Sequence, residues 1–418
     1  MHDRTGYHSS IARAVDAATE ELVGISRDIH AHPELNYEEH HAASLLTASL
    51  ERHGFTVERG TGDLETAFKG TADGDGPGPT IGILVEYDAL PEIGHGCGHN
   101  LIALSTLGAG IAARAALDRL PGRIVVVGTP AEEGGGGKVL MLEAGAFDEI
   151  DISLSSHPKS NRTSFRTDWP LDASASLAMV GYRYAFHGRP SHAAIAPHEG
   201  VNALNSVIAL FNGIDAMRQH LADDVRIHGI VTDGGTAPNV VPSFAAANFM
   251  LRARDGRYLR EVVADRVHSI ALGAATITGA RHEIDQIYPF YDNVRPNTAL
   301  ATRARQHALR EGMTVTDPDS GPGIWASTDF GNVSQTMPSF AMDFAVSEDP
   351  VPLHTAEMQV AATTDLAHRN ALATARVLAT TACDLLADPE LLAAAREEFD
   401  LRGGALGRPT PPANAKGS

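Results

Sequence analysis

Cys97 and His99 stand two residues apart in the glycine-rich turn Gly94-His95-Gly96-Cys97-Gly98-His99-Asn100, which follows Asp88-Ala-Leu-Pro and an apolar run from Ile81 to Val85. A thiolate and an imidazole at that spacing turn toward one point, and sulfur with nitrogen is a donor set for a transition metal. The chain has only two cysteines. One of them sits beside two histidines and an aspartate, which favours a metal centre over a structural thiol. Taken alone, a buried cysteine is a small apolar residue, and a turn with histidines is only a turn.

Two later segments repeat the design. Ile124-Val-Val-Val-Gly-Thr-Pro-Ala ends in Glu132-Glu133 and four glycines, and Ile150-Asp-Ile-Ser-Leu-Ser-Ser delivers His157 before Pro158. A lone Glu-Glu pair is ordinarily a solvated acidic turn, and a lone His at a strand end is ordinarily hydrogen-bonded structure. Three strand ends presenting Cys/His, Glu/Glu and His are better explained together, because ligands collect outside the carboxyl ends of strands in an open α/β sheet. One glutamate of the pair then binds metal while the other faces a substrate water. His354, in Pro350-Val-Pro-Leu-His354-Thr-Ala-Glu357 ahead of a long Ala-rich helical stretch, would close a two-metal set.

Elements of the right kind surround these loops. Strands are expected near 81–87, 123–128 and 151–155, alternating with helices that include Leu101 to Leu117, as in a mostly parallel sheet. Residues 11–53 read as helical. The pattern then changes to a strand over 177–186, a helix over 202–221, strands starting at Arg226 and over 245–254, a helix over 257–272 and a strand over 282–288. That β-α-β-β-α-β order is a ferredoxin-like unit inserted in the larger α/β domain. The expected division is 1–175 and 290–402 for the larger domain, 176–289 for the insertion, and a disordered Gly/Pro/Ala-rich tail from Gly403.

Length and charge agree. A chain of 418 residues suits two domains. A net charge of −19 argues against nucleic acid or an anionic membrane as partner. Cys97 and Cys383 give no disulfide framework, Cys383 reads as core within Val377 to Leu386, and the Cys97 thiol favours a reducing compartment. The N-terminus lacks a signal-peptide core and no uninterrupted apolar run reaches about 18 residues. The expected location is cytoplasmic.

Eight ordered motifs, spread over nearly the whole chain, carry a family resemblance. They are His32-Pro33-Glu34 with Glu38-Glu39, DALP followed by GHGCGHN, TPAEEGGGGK, SHP, Gly188-Arg-Pro-Ser-His192-Ala-Ala, Pro238-Asn239-Val-Val-Pro242, Ser327-Thr-Asp329-Phe and LHTAE. The chain resembles the M20 metallopeptidases and amidohydrolases, subfamily D, and within it the group of aminobenzoyl-glutamate hydrolase subunits and related dipeptidases. The resemblance implies an α/β dinuclear metallopeptidase domain with a ferredoxin-like lid and dimerisation domain. It implies two divalent ions per chain, zinc or manganese with cobalt as a further option, held by Cys97, His99, Glu133, His157 and His354.

In the same resemblance Glu132 is the general base and His192, from the lid, polarises the scissile carbonyl. Asn239, otherwise a turn residue, and Arg252, otherwise a solvated or ion-paired side chain, would bind the substrate carbonyl and carboxylate. Asp88 would orient a ligand from behind it, and His95 reads as structural. Many peptidases of the wider family place a metal-binding histidine two residues before the aspartate matching Asp88, whereas this chain has Glu86-Tyr87-Asp88. The implied activity is hydrolysis of an N-acyl amino acid or dipeptide by a homodimer. A binding or regulatory subunit of a heteromeric hydrolase on the same fold is the alternative. A thiol hydrolase using Cys97 and His99 leaves Glu132, Glu133, His157 and His354 without a role.

Overall fold

Runs of β-branched residues form the central strands of the computed structural model, which describes residues 6–316 and 326–405. These residues divide into two compact units, one of 6–173, 295–316 and 332–405 and one of 174–294 and 326–331.

The first unit holds strands β1 (Thr56–Arg59), β2 (Phe68–Asp73), β3 (Thr80–Val85), β4 (Arg123–Gly128), β5 (Ile152–Lys159) and, late in the chain, β10 (Ser339–Ala345). They form one sheet in the order β1-β2-β4-β3-β5-β10, with β4, β3, β5 and β10 parallel and β1 and β2 antiparallel at one edge. Only the first residue of β3 and of β4 is not fully buried, the signature of a parallel sheet covered on both faces. In register, Val85 lies opposite Gly128. The segments that follow, Glu86 to Asp88 and Thr129 to Glu133, therefore leave the sheet side by side, pinned where the Thr129 N–H donates to the Val85 carbonyl at 2.8 Å.

Helix His99–Arg114 is buried from His99 to Ala113 and packs against helices His8–Ala31 and Asp365–Ala387 as well as the sheet. The stretch His99–Arg119 is long and apolar enough to cross a membrane, yet its apolar part is 89% buried inside the fold, which makes it a core helix. Its start depends on Gly98, whose φ of 82° is costly for a residue with a Cβ and whose added Cβ would lie 2.8 Å from Pro158. The helical region expected over 11–53 is two helices, His8–Ala31 and His40–Arg52. The break holds Pro33, which disfavours helix in the residue before it. Cys383 is fully buried in helix Asp365–Ala387, as its apolar neighbours indicate.

The second unit holds β6 (Ala178–His187), β7 (Arg226–Asp233), β8 (Phe244–Ala253) and β9 (Arg281–Tyr291) in the antiparallel order β7-β8-β6-β9. Helices Ala203–Arg218 and Asp265–Thr278 pack on it and on each other around a separate apolar core. Asn202 starts the first of these by accepting the Leu204 and Asn205 N–H groups. This is the ferredoxin-like order read from the sequence. β9 runs past the expected end at Tyr288 because Pro289 lies on an edge strand, where its missing N–H costs no ladder bond. From residue 406 onward, the tail expected to be disordered lies outside the described residues.

Candidate metal centre

Four parts of the first unit bring donors together. Cys97 and His99 come from the loop after β3 and the start of its helix, Glu132 and Glu133 from the loop after β4, His157 from the end of β5, and His354 from the loop before helix Ala356–Ala361. Three overlapping sets have ligand atoms all within 4.8 Å of one another: Cys97, His99 and His157; Cys97, Glu133 and His354; His99, Glu132 and Glu133. Cys97 Sγ lies 3.5 Å from His157 Nε2, and Glu133 Oε1 lies 3.4 Å from His354 Nε2. Two ligands bonded at about 2.0–2.3 Å to one tetrahedral ion stand about 3.3–3.6 Å apart.

The imidazoles are held from behind. His99 Nδ1 is 2.8 Å from Asp88 Oδ1 and His157 Nδ1 is 2.7 Å from the Pro158 carbonyl. In both rings this turns Nε2 toward the cluster, the usual outer contact of a metal-bound histidine. His354 sits at the exposed rim with φ 61°, and its N–H donates to the Gly96 carbonyl, tying its loop to the cysteine turn.

His99 Nε2 is the atom whose surroundings best fit a cation. It is buried and has no hydrogen-bond partner among the described residues. Carboxylate oxygens of Glu86, Glu133 and Glu132 stand 3.8, 3.8 and 3.9 Å away, too far to accept a hydrogen bond but arranged to share an ion. A second histidine–aspartate group, Asp28 with His32 and His41, contrasts with this. There His32 Nδ1 and His41 Nε2 each contact Asp28 Oδ1 at 2.8 Å, so the group already holds itself together by hydrogen bonds.

The clustered donors perturb one another's protonation strongly, and a divalent ion bound among them would displace the protons from the imidazoles. Burial would raise the Cys97 pKa, but His157 and His99 outweigh it and hold the thiol well below its ordinary value. Burial would lower that of His99, and Asp88 with Cys97 holds it well above the ordinary value. Contacts with Cys97 and Glu133 push His354 up to about 10. Burial raises Glu133. A thiolate, imidazoles and carboxylates fit divalent ions with some soft character.

Three residues around the site, Glu86, Lys138 and Glu39, are assigned no role from the sequence alone. Glu86, at the position where many peptidases of the resembled family have a histidine ligand, is paired at 2.8 Å with the fully buried Lys138. The lysine neutralises a third carboxylate beside His99. Its signal is an uncommon one, a lysine closing a run of four glycines. Glu39 is also fully buried, with Thr66 and the Ala131 N–H on its carboxylate. His95 contacts the Ile29 carbonyl at 3.1 Å, and burial, with His99 and His30, pushes it down to about 3, so it is a neutral core histidine.

His192, Asn239 and Arg252 belong to the second unit. The loops of His192 and Asn239 touch, with the Ala193 N–H donating to the Asn239 carbonyl at 3.0 Å. The Ala194 and Ile195 N–H groups face His192 Nδ1 at 3.3 and 3.2 Å, so the neutral ring carries its proton on Nε2. Arg252 donates to Ser327 Oγ at 2.8 Å, is partly buried, and makes no ion pair among the described residues. His192 follows the end of β6 that pairs with the start of β8, whereas Arg252 is near the end of β8, opposite Met179. At about 3.3 Å per residue the two ends of that sheet are roughly 25 Å apart.

The sequence model for Peptidase family M20/M25/M40 matches residues 82–379. The chain is 36% identical over 411 residues to the Xaa-Arg dipeptidase of Homo sapiens, covering 94% of this chain and 91% of that one. It is 30% identical over 460 residues to one of the subunits of the p-aminobenzoyl-glutamate hydrolase of Escherichia coli, covering 92% and 93%. Among solved structures, a Bacillus subtilis dinuclear metal binding peptidase from the M20 family superposes with a TM-score of 0.67 at 20% identity, covering 89% of this chain and 99% of that one.

Proposed function

The chain belongs to Peptidase family M20/M25/M40, and from that membership we propose that it hydrolyses the amide bond of a dipeptide or N-acyl amino acid with Glu132 as general base. The relatives named for an Xaa-Arg dipeptide and for p-aminobenzoyl-glutamate define the substrate class, an amide whose leaving amine is an amino acid. The observation that carries the reading is the buried His99 Nε2, without a hydrogen-bond partner among the described residues and ringed by carboxylates beside Cys97 and His157.

Cys97, His99, Glu133, His157 and His354 hold two divalent ions, zinc by the softness of the donors or manganese, with cobalt as a further option. When bound, such ions polarise a carbonyl and acidify a water. Glu132 takes the proton of the attacking water and returns it to the leaving amine, while Glu133 stays a ligand. Asp88 fixes the His99 ring. His192, with its proton on Nε2, donates to the developing oxyanion, Asn239 contacts the scissile carbonyl, and Arg252 grips the substrate carboxylate.

A homodimer is part of this reading. His192 and Arg252 lie at opposite ends of one sheet, which supports a division of labour in which one protomer supplies Arg252 to a site and its partner supplies His192. The free Cys97 thiol supports a reducing, cytoplasmic setting. The direct test is turnover of a panel of dipeptides and N-acyl amino acids by metal-reconstituted protein. Hydrolysis of members with a free carboxylate is expected. No turnover of any member by protein shown to hold its metals would overturn the proposal, and activity only on addition of a homologous chain would favour the regulatory-subunit alternative.

A further inference from the structure

The loop that presents Glu132 is gripped from outside the metal cluster. The Ala131 N–H donates to Glu39 Oε1 at 2.9 Å, and the Glu133 N–H donates to Asp88 Oδ2 at 2.9 Å. Asn36 Nδ2 donates to the Glu133 carbonyl at 2.8 Å, and the Tyr37 hydroxyl donates to the Gly135 carbonyl at 2.6 Å. The backbone is therefore fixed immediately before and immediately after Glu132. Three of these four contacts come from the segment 36–39, in the break between the first two helices.

The grip holds the loop in a conformation it would not choose alone. Ala131 has φ 58° and Tyr37 has φ 66°, left-handed values that cost non-glycine residues about 1 kcal/mol or more each. The two segments interlock, since a Cβ on Gly135 would lie 2.6 Å from the Ala131 Cβ and 3.1 Å from Tyr37 Cε2. Glu39 is fully buried, and its other oxygen accepts the Thr66 hydroxyl at 2.9 Å. A buried carboxylate is an expensive way to fill space, and this one gives one oxygen to the Ala131 amide beside Glu132 and the other to the Thr66 hydroxyl, tying the loop to the core.

We propose that Glu39 is a positioning residue for the reaction, fixing Ala131 in its left-handed conformation and so aiming the Glu132 carboxylate, with Asn36 and Tyr37 completing the clamp. The proposal rests on the reading of Glu132 as general base. Without Glu39, Ala131 relaxes toward ordinary φ values and rotates the Glu132 side chain, while the metal ligands keep their own supports in Asp88 and the Pro158 carbonyl. Glutamine can replace Glu39, because its carbonyl accepts from Ala131 and its amide donates to the Thr66 hydroxyl. Burial and the nearby Asp88 charge already push the Glu39 pKa up to about 7, so a neutral group is close to the native state.

The test compares metal-loaded Glu39→Ala, Glu39→Gln and Tyr37→Phe with the parent protein, reading kcat, KM, metal content and amide hydrogen exchange over 131–137. Misplacing the base by about 1 Å is expected to lower kcat about a hundredfold in Glu39→Ala, with KM and metal content unchanged and faster exchange in the loop. Glu39→Gln should recover most of the lost kcat, and Tyr37→Phe should show faster exchange with a smaller loss. Parent-like kcat and exchange in Glu39→Ala, or a kcat loss that tracks lost metal, would overturn the proposal. So would a Glu39→Gln protein as impaired as Glu39→Ala. If Glu39→Ala does not fold, Glu39→Gln and Tyr37→Phe still decide it, because parent-like exchange in Tyr37→Phe removes the clamp. Glu132→Gln, run in parallel, separates the two readings: full activity there refutes the base assignment, whatever Glu39 does.

Discussion

His99 Nδ1 lies 2.8 Å from Asp88 Oδ1, with neither residue more than 1% exposed. The second oxygen of the same carboxylate accepts the Glu133 N–H at 2.9 Å. One buried aspartate thus orients a ligand from the loop after β3 and anchors a ligand from the loop after β4. Burial would raise the Asp88 pKa, but His99 and the Glu133 N–H outweigh it and keep the group ionised. The residue acts on the centre without needing to touch an ion.

Metal dependence follows from this arrangement. Purified protein should hold close to two divalent ions per chain, lose activity to a strong chelator and regain it with zinc or manganese. Asp88→Ala should weaken metal affinity about 10–100-fold, read by titration with a chromophoric chelator. Full hydrolysis in excess chelator would remove the metal assignment and revive a thiol mechanism at Cys97.

The adjacent glutamates should separate by role. Glu132→Gln is expected to keep its metals and lose about three or more orders of magnitude in kcat, as a proton shuttle is removed. Glu133→Gln should instead lower metal content. Metal-replete Glu132→Gln with near-parent turnover would show the assignment to be wrong.

The second unit offers a split between kcat and KM. His192→Ala should preserve metal content and lower kcat more than it raises KM, whereas Arg252→Ala should mainly raise KM for substrates with a free carboxylate and matter little for their amides. Mixing inactive His192→Ala with inactive Glu132→Gln should restore part of the activity through mixed dimers. No recovery despite demonstrated exchange of protomers would exclude action of His192 across a dimer.

Acid stability should respond to Asp384. This buried carboxylate contacts Arg303 and His307 at 2.6 and 2.8 Å and accepts the Tyr7 hydroxyl. Burial opposes its ionisation, but those partners push its pKa from 3.8 down to about 2. A depressed carboxylate stabilises the fold above its ordinary pKa, and that stability is lost as pH falls from about 3.8 through about 2. The linked amount is about 2 kcal/mol. Asp384→Asn should be less stable than the parent at pH 7 and lose less on acidification to pH 3, measured by urea unfolding. Equal acid sensitivity in the two proteins would assign the effect to other carboxylates.

Periodicity makes much of the fold legible. The runs ending at Val85 and Gly128 and before His157 read as parallel strands because their apolar stretches are unbroken, and the β-α-β-β-α-β succession identifies the second unit. β1, β2 and β10 leave no comparable mark. They are short or partly exposed, and what makes them strands is pairing, of β1 with β2, β2 with β4 and β10 with β5. The full length of β9 is hidden for another reason, since Pro289 looks like a terminator until the strand is known to be an edge.

At the site, donor chemistry is a local property and can be read along the chain. Cys97, His99, Glu132 and Glu133 stand out because thiol, imidazole and paired carboxylates in glycine-rich loops after strands have few other uses, and His157 and His354 join them as histidines at a strand end and in a late loop. How those loops meet, and what stands behind them, is a matter of tertiary packing. Lys138 on Glu86, Glu39 on the Ala131 amide and Asp88 on the Glu133 amide are contacts between residues 45 or more positions apart in the chain. Their energies depend on burial and on distances of about 3 Å, which no local pattern encodes. Separation of His192 from Arg252 is of the same kind, since it follows from the antiparallel register of β6 on β8.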